Sequence, residues 1–421
     1  MILRPASCFA LACALLLGAC QPRPTPATRQ AATAPPATVL LISIDGLRAS
    51  YLGQGDSPTL DRIATQGVRA AWMNPSYPSL TFPNHYTLVT GLRPDRHGMI
   101  HNMMQVEGLG DFKVSNTDAT ADSRWWSQAQ PVWVTAEQAH LPTAIWAWPG
   151  SAAEIDGVRP TRYHLYDHHV SAMDRATEVA GWLTAGTPAQ RPRLAALYFE
   201  MVDNAGHDHG PDAPQTRAAV RVVDTAIGHL LALLDASGLG EQVNVIVVSD
   251  HGMAPVPPAN VIGLDEMVND ADAEWISNGQ VVGFEPRPGR ARQARAQLLG
   301  RHAHYGCWDK RDMPAHWHYG SNPRIPAIVC QLDEGWDALG PEVAARRRTG
   351  ELRGSHGYAP DLPSMRAAFV ARGPAFRSGV TLPAFDNVDV YPLLMHLLGL
   401  PPRDNDGSLD PLQPALRATT H

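Results

Sequence analysis

Three short runs constrain what this chain can become. Val39–Ile44, Leu194–Phe199 and Val243–Ser249 are continuous apolar stretches rich in β-branched residues. That is the pattern of strands buried on both faces of a parallel sheet. Each leads directly into a loop carrying an acid: Asp45, Asp203 and Asp250. Helical patterns lie between and around them, at Pro58–Gln66, Val170–Thr184 and Thr216–Leu234. In the last, Ala219, Val222, Val223, Ala226, Ile227, Leu230, Leu231 and Leu234 are predicted on one face. Strands alternating with helices imply an α/β fold, with a mostly parallel central sheet and helices on both faces. In such sheets ligands bind beyond the carboxyl ends of the strands.

From Pro255 to about Leu352 this rhythm stops. The stretch has proline clusters, an Arg-rich helix-like run at Gly289–Arg301, and Trp275, Trp308, Trp317 and Trp336. It reads as an inserted small α+β subdomain with a β element near Ile325–Leu332, serving either as a lid or as a stabilising flank. The main pattern resumes at Gly354 and at Ala367–Ala371. A last amphipathic helix, Val388–Leu398, is predicted to cover the sheet.

The ends of the chain set its compartment. Residues 1–20 carry Arg4, an apolar run from Cys8 to Leu17, and Leu17-Gly18-Ala19-Cys20. The run is too short to span a bilayer and reads as a signal segment. Leu-Gly-Ala-Cys resembles a bacterial lipobox, so Cys20 is expected to carry acyl chains; a plain cleaved signal peptide is the alternative. Gln21 then points to the outer membrane, and the whole to an exported, periplasmic protein. Residues 21–37, rich in Pro, Thr and Ala, read as a tether, leaving 38–421 as the catalytic domain. Cys307 and Cys330 remain in that domain. In an oxidising compartment they are expected to pair, two buried thiols being the alternative. The formal charge of −7 excludes a basic nucleic-acid scaffold, and a monomer is expected.

Asp45, Asp203, His207, Asp250, His251 and His356 all follow strands or sit in Gly-rich loops. Singly each could be a turn residue or a cap. Together they can hold two ions, and mixed nitrogen and oxygen donors suit zinc. Two divalent cations against three carboxylates leave a net charge of about +1, which suits a phosphodiester rather than a monoester dianion. No Arg lies in the strand-end motifs; Arg48 is nearest. The stretch Pro75–Thr90 supplies a nucleophile. Thr81 is predicted just before a helix whose first turn holds Pro83, where unpaired N–H groups favour an anion. Its hydroxyl could cap that helix or, activated by a metal, attack phosphorus.

These motifs resemble one family. Leu41-Ile-Ser-Ile-Asp45-Gly-Leu-Arg48, Tyr77-Pro-Ser-Leu-Thr81-Phe-Pro-Asn-His-Tyr, Asp203-Asn-Ala-Gly-His207, Asp250-His251-Gly-Met and Gly354-Ser-His356-Gly-Tyr are similar to the nucleotide pyrophosphatase/phosphodiesterases (type I phosphodiesterases) of the alkaline phosphatase superfamily, here read as a bacterial member. The resemblance implies an alkaline phosphatase-like core. It assigns Asp45, Thr81, Asp250 and His251 to one zinc, and Asp203, His207 and His356 to the other. It implies a phosphothreonyl intermediate on Thr81, a phosphoryl-oxygen donor in Asn102, and a nucleobase stacked on Phe82 and flanked by Tyr198. Hydrolysis of nucleotide phosphodiester and pyrophosphate bonds, releasing nucleoside 5'-monophosphates, is the expected activity. The alternative is the same chemistry on choline-containing lipid or glycerol phosphodiesters.

Overall fold

The computed structural model describes residues 37–418. The signal-like segment, Cys20 and nearly all of the tether lie outside the described residues.

The centre is an eight-stranded sheet. Its order is Val380–Leu382, Val68–Ala70, Phe369–Arg372, Val243–Val248, Thr38–Ile44, Leu194–Phe199, Thr143–Trp146 and Arg162–His164. All pairings are parallel except the two made by Phe369–Arg372. The three acid-bearing strands predicted from the sequence are therefore neighbours, with Thr38–Ile44 in the middle. Their register is level at the carboxyl end: Ser43 lies opposite both Tyr198 and Val248. Adjacent strands run about 4.8 Å apart, so the residues that follow them emerge side by side. This is the alkaline phosphatase-like arrangement.

Alternation along the strands divides the core in two. Val39 and Leu41 point to the face holding Trp126, Trp133 and Tyr391, and Leu40, Ile42 and Ile44 to the face covered by Val223, Ile227 and Leu230. The last three come from the helix Pro214–Ala236. Val222, predicted on the same stripe, is 54% exposed. One step of ~100° from Val223 carries it past the edge of the buried face. The last helix, Val390–Leu398, is not amphipathic as predicted: every residue but His396 is buried. The helix Thr81–Thr90 packs on it, so its second side is covered too.

The insertion folds around its own apolar cluster, which includes Val282, Phe284, Leu298, Ile328 and Cys330. Its five-stranded antiparallel sheet has the order Ala273–Trp275, Val281–Pro286, Ile328–Leu332, Tyr305–Asp309 and Gly300–Arg301. Cys307 and Cys330 are directly opposed in that sheet and form the expected disulfide. The strands at Ala254–Val256 and Arg353–Ser355 pair with each other where the insertion joins the core.

Candidate active site

The site begins with a helix that starts one residue earlier than predicted. Leu80 is the N-cap and Thr81 the first residue of Thr81–Thr90. The first helical bond runs from Asn84 N–H to Leu80 O (3.1 Å), so Pro83 still falls where a missing N–H costs nothing. The Thr81 hydroxyl makes no capping bond; its Oγ lies 3.3 Å from His251 Nε2. Phe82 N–H donates to Asn102 Oδ1 at 3.0 Å, which leaves the Asn102 amide NH2 to face outward beside Thr81. His85, one turn further on, fixes this corner. Its Nδ1–H donates to Thr81 O (2.8 Å), and it lies 2.8 Å from the Ser43 hydroxyl through Nε2. With both ring nitrogens engaged, His85 supports the turn that carries Thr81; its Nδ1 also lies 3.4 Å from Asp250 Oδ2, and with Asp45 and Asp250 it forms a third cluster of close donor atoms.

The strand ends bring the predicted ligands together. Asp45, Asp203 and His251 form one group with donor atoms within 4.8 Å of one another; Asp203, His207 and His356 form another. His251 Nε2 is 2.9 Å from Asp250 Oδ2 and 3.5 Å from Asp45 Oδ1. Asp203 lies 3.4 Å from both His207 and His356 through their Nε2 atoms. Asp203 and His207 occupy one face of the short helix Met201–His209, four residues apart. Gly46 has φ +69°, and a Cβ there would lie 3.1 Å from Asp203 Cα. The turn after the central strand therefore needs glycine to let Asp45 and Asp203 approach.

Hydrogen bonding tests whether this set fits a cation. The Nδ1 atoms of His207, His251 and His356 lie 2.9, 2.9 and 3.0 Å from the carbonyls of Gly354, Gly252 and Ser79. A carbonyl only accepts, so each Nδ1 carries the proton and each Nε2 lone pair faces the site, the usual orientation of metal-binding imidazoles. Opposite them, Asp45 Oδ1, Asp203 Oδ1 and Asp250 Oδ2 are buried without a hydrogen-bond donor. Lone pairs facing lone pairs in a buried pocket are costly unless a cation lies between them. The donor set fits metal ions, and its mixture of imidazole and carboxylate fits zinc.

Without a cation these buried groups must share protons among themselves. Burial pushes the Asp45 carboxyl well above its usual range, with Asp250 and Asp203 adding to the rise. Burial also raises Asp203. Burial pushes His356 well below the ordinary imidazole value, helped by His251 and His207. Asp250 is the exception: burial opposes its ionisation, but without a cation in the site the protonated forms of His251 and His85 outweigh it and hold that carboxyl low, and Asp250 in turn raises His251 against its own burial.

Over these groups opens a cleft of about 380 Å³ lined by Phe82, Asn102, Trp148, Leu165, Tyr166 and Tyr198 among others, a size suited to a small ligand. Phe82 is half-buried and packs edge-on to Phe112. Tyr198, predicted to flank a base slot, lines the cleft but commits its hydroxyl to Asp45 Oδ2 at 2.6 Å. The more exposed ring is Tyr166, at 50%, which no motif marks. It follows a stretch without periodicity, so only the fold brings it to the cleft; His85 lies within the Thr81 motif, and only its hydrogen bonds reveal its role. Arg48 is not in the site: it binds Met253 O and Asp212.

The Type I phosphodiesterase / nucleotide pyrophosphatase family model matches residues 39–359. The chain belongs to this family. An uncharacterised pyrophosphatase/phosphodiesterase of Schizosaccharomyces pombe is 34% identical over 391 residues, 90% of this chain and 80% of the relative. Human ectonucleotide pyrophosphatase/phosphodiesterase family member 5 is 33% identical, covering 90% and 78%. Bovine bis(5'-adenosyl)-triphosphatase is 34% identical, covering 89% and 81%. The solved structure of murine member 5, inactivated by a threonine-to-alanine change and bound to AMP, superposes with a TM-score of 0.85 at 34% identity, covering 90% of this chain and all of that one. The protein is thus a phosphodiesterase/pyrophosphatase-type hydrolase with groups able to hold metal. These relatives are eukaryotic, so membership of the family gives no support to the bacterial placement, which rests on the Leu17–Cys20 segment alone.

Proposed function

We propose that this site hydrolyses nucleotide phosphodiester and pyrophosphate bonds with Thr81 as nucleophile, releasing nucleoside 5'-monophosphates. The observation that carries the reading is the set of three donor-less buried carboxylate oxygens facing three imidazole lone pairs, with the Thr81 hydroxyl at their edge. The inactive murine relative, which lacks one threonine and holds AMP, supports both the nucleophile type and the ligand class. Asp45, Thr81, Asp250 and His251 would hold one zinc, and Asp203, His207 and His356 the other. Bound zinc supplies a Lewis acid that lowers the hydroxyl's pKa and offsets charge at phosphorus.

The remaining chemistry belongs to the chain. Thr81 Oγ forms a bond to phosphorus as the phosphorus–leaving-group oxygen bond breaks, and the hydroxyl proton passes to solvent. The Asn102 amide donates to a non-bridging oxygen. Water then attacks the phosphothreonine, Thr81 recovers its proton, and one water is consumed per turnover. Phe82 and Tyr166 offer the rings for a nucleobase. The choline-ester alternative wants an uncompensated acid among the rings, but Glu200, the cleft acid beside Tyr166, is held by buried Arg175.

Thr81→Ala is expected to abolish turnover of ATP and of an aryl ester of a nucleoside monophosphate, and a chelator to do the same reversibly. Intact mass after acid quench should reveal a nucleotidyl adduct in the native chain. Retained turnover of the aryl ester by Thr81→Ala would sink the nucleophile assignment. Export, a periplasmic outer-membrane anchor at Cys20 in a bacterial cell, and a monomeric state are parts of the same proposal. A Cys20→Ala chain that still fractionates with membranes overturns the anchor.

A further inference from the structure

The ligand groups lie between two clefts of opposite chemistry. The first is the aromatic cleft, which Thr81 lines. The second, about 330 Å³, opens between the hairpin Met103–Lys113 and the insertion, and carries Lys113, Asn278, Gln280 and Arg347. His207, His356 and Asn102 line both. Displacement at phosphorus is in line, so the leaving oxygen departs opposite the attacking hydroxyl. Thr81 stands beside His251 and lines the first cleft but not the second; His207 and His356 lie where the two meet, so the second cleft is the exit that the nucleophile does not occupy.

The charges there are free to act. Neither Lys113 nor Arg347 belongs to an ion pair among the described residues, whereas neighbouring Arg348 and Arg353 bind Glu266 and Asp208. The chain's other lysine, Lys310, donates to Ile325 O. Asp337, the acid on this wall, is turned to Gln280. Two cations, Lys113 and Arg347, against this one carboxylate leave the wall net positive.

We propose that the second cleft is the leaving-group subsite, and that Lys113 and Arg347 select substrates whose leaving group is an anionic phosphate chain. This rests on the phosphodiesterase reading above. An inorganic pyrophosphate or the phosphate end of a second nucleotide satisfies the same chemistry.

The test compares the ratio of kcat/KM for ATP to that for an aryl ester of a nucleoside monophosphate, whose leaving group carries no phosphate. Lys113→Met and Arg347→Gln should each lower that ratio about 10-fold, as expected for a lost charge-assisted contact, and together by more. Lys113→Arg should restore it. On the Thr81→Ala background, where no turnover is needed, the same changes should raise the Kd for ATP by a larger factor than the Kd for AMP. Ratios that stay at the native value, or equal losses for ATP and AMP binding, overturn the subsite. Turnover by Thr81→Ala alone overturns the catalytic reading instead, so the two failures are distinguishable. A dinucleoside polyphosphate run beside ATP identifies which source of phosphate the cleft prefers. An unchanged thermal midpoint assigns any loss to binding rather than to folding.

Discussion

The central sheet and the insertion contribute to the site in opposite ways. Three adjacent parallel strands end at one level, and the residues after them supply Asp45, Asp250, His251 and the helix bearing Asp203 and His207. The insertion supplies no residue to these metal groups, but it holds the loop that carries Asn102. Asp95 accepts the N–H groups of Gly320, Ser321 and Asn322 at 2.8–2.9 Å. Arg324 donates to the carbonyls of Gly98, Trp125 and Arg124. His101 Nε2 meets Val281 O at 3.1 Å, and Tyr319 donates to Ile100 O. Of the two roles open from sequence, lid or flank, these bonds are the contacts that a flank would make. Sheet topology delivers the reactive groups; latches from a second subdomain hold the loop that completes them.

That contrast can be broken at its core end first. Asp45→Asn should lower kcat/KM about 10³-fold or more, since it leaves the facing groups of a buried charged site uncompensated. A loss below 10-fold in steady-state assays would remove Asp45 from the ligand set. The next largest effect is a stability change with pH. His97, fully buried beneath the helix Thr81–Thr90, is pushed down to about 3 by that burial. Its folded value lies below its unfolded value near 6.5, so stability is complete above pH 6.5 and is lost as pH falls toward 3. The loss is on the order of 4 kcal/mol, and denaturant titrations of native and His97→Gln chains over that window should diverge by a comparable amount.

At the insertion end the effects are smaller and fall on stability. Cys307→Ala with Cys330→Ala opens a bridge worth ~3 kcal/mol on a chain-entropy estimate. It should lower the unfolding midpoint with little change in KM for an aryl nucleotide ester. Asp95→Ala removes the acceptor of three N–H groups and should cost about 2 kcal/mol. Because the loop it latches carries Asn102, kcat should fall as well; a stability loss with unaltered kcat would show that the latch does not reach Asn102. Back in the central sheet, the smallest effect is expected of Tyr198→Phe, which deletes only the bond to Asp45 Oδ2. About a 10-fold drop in activity or metal affinity is expected, readable by competition with a chelator, and a change in base preference without one would return Tyr198 to the base slot.

The core was legible because its signals are local. Continuous apolar runs at Val39, Leu194 and Val243 mark strands wherever they occur, and the helix Pro58–Gln66 matches its predicted bounds. The site was legible because six candidate ligands sit in short motifs in the loops after strands. Tyr166 and Trp148 were not, since they reach the cleft through irregular chain that has no period to read. The burial of Val390–Leu398 on all sides was hidden for a related reason: a hydrophobic pattern says that a face will be covered, but not how many neighbours will cover it.

Sequence alone therefore determined the donor types, their attachment to strand ends, and the hydroxyl at Thr81. The tertiary structure decided what each donor faces. It gave His85 to the turn that carries Thr81 and the Tyr198 hydroxyl to Asp45. It tied three Nδ1 protons to backbone carbonyls and left three carboxylate oxygens without donors. Hydrogen-bond partners here are separated by up to 277 residues, and contacts across that distance are fixed by packing and register rather than by any local pattern in the chain.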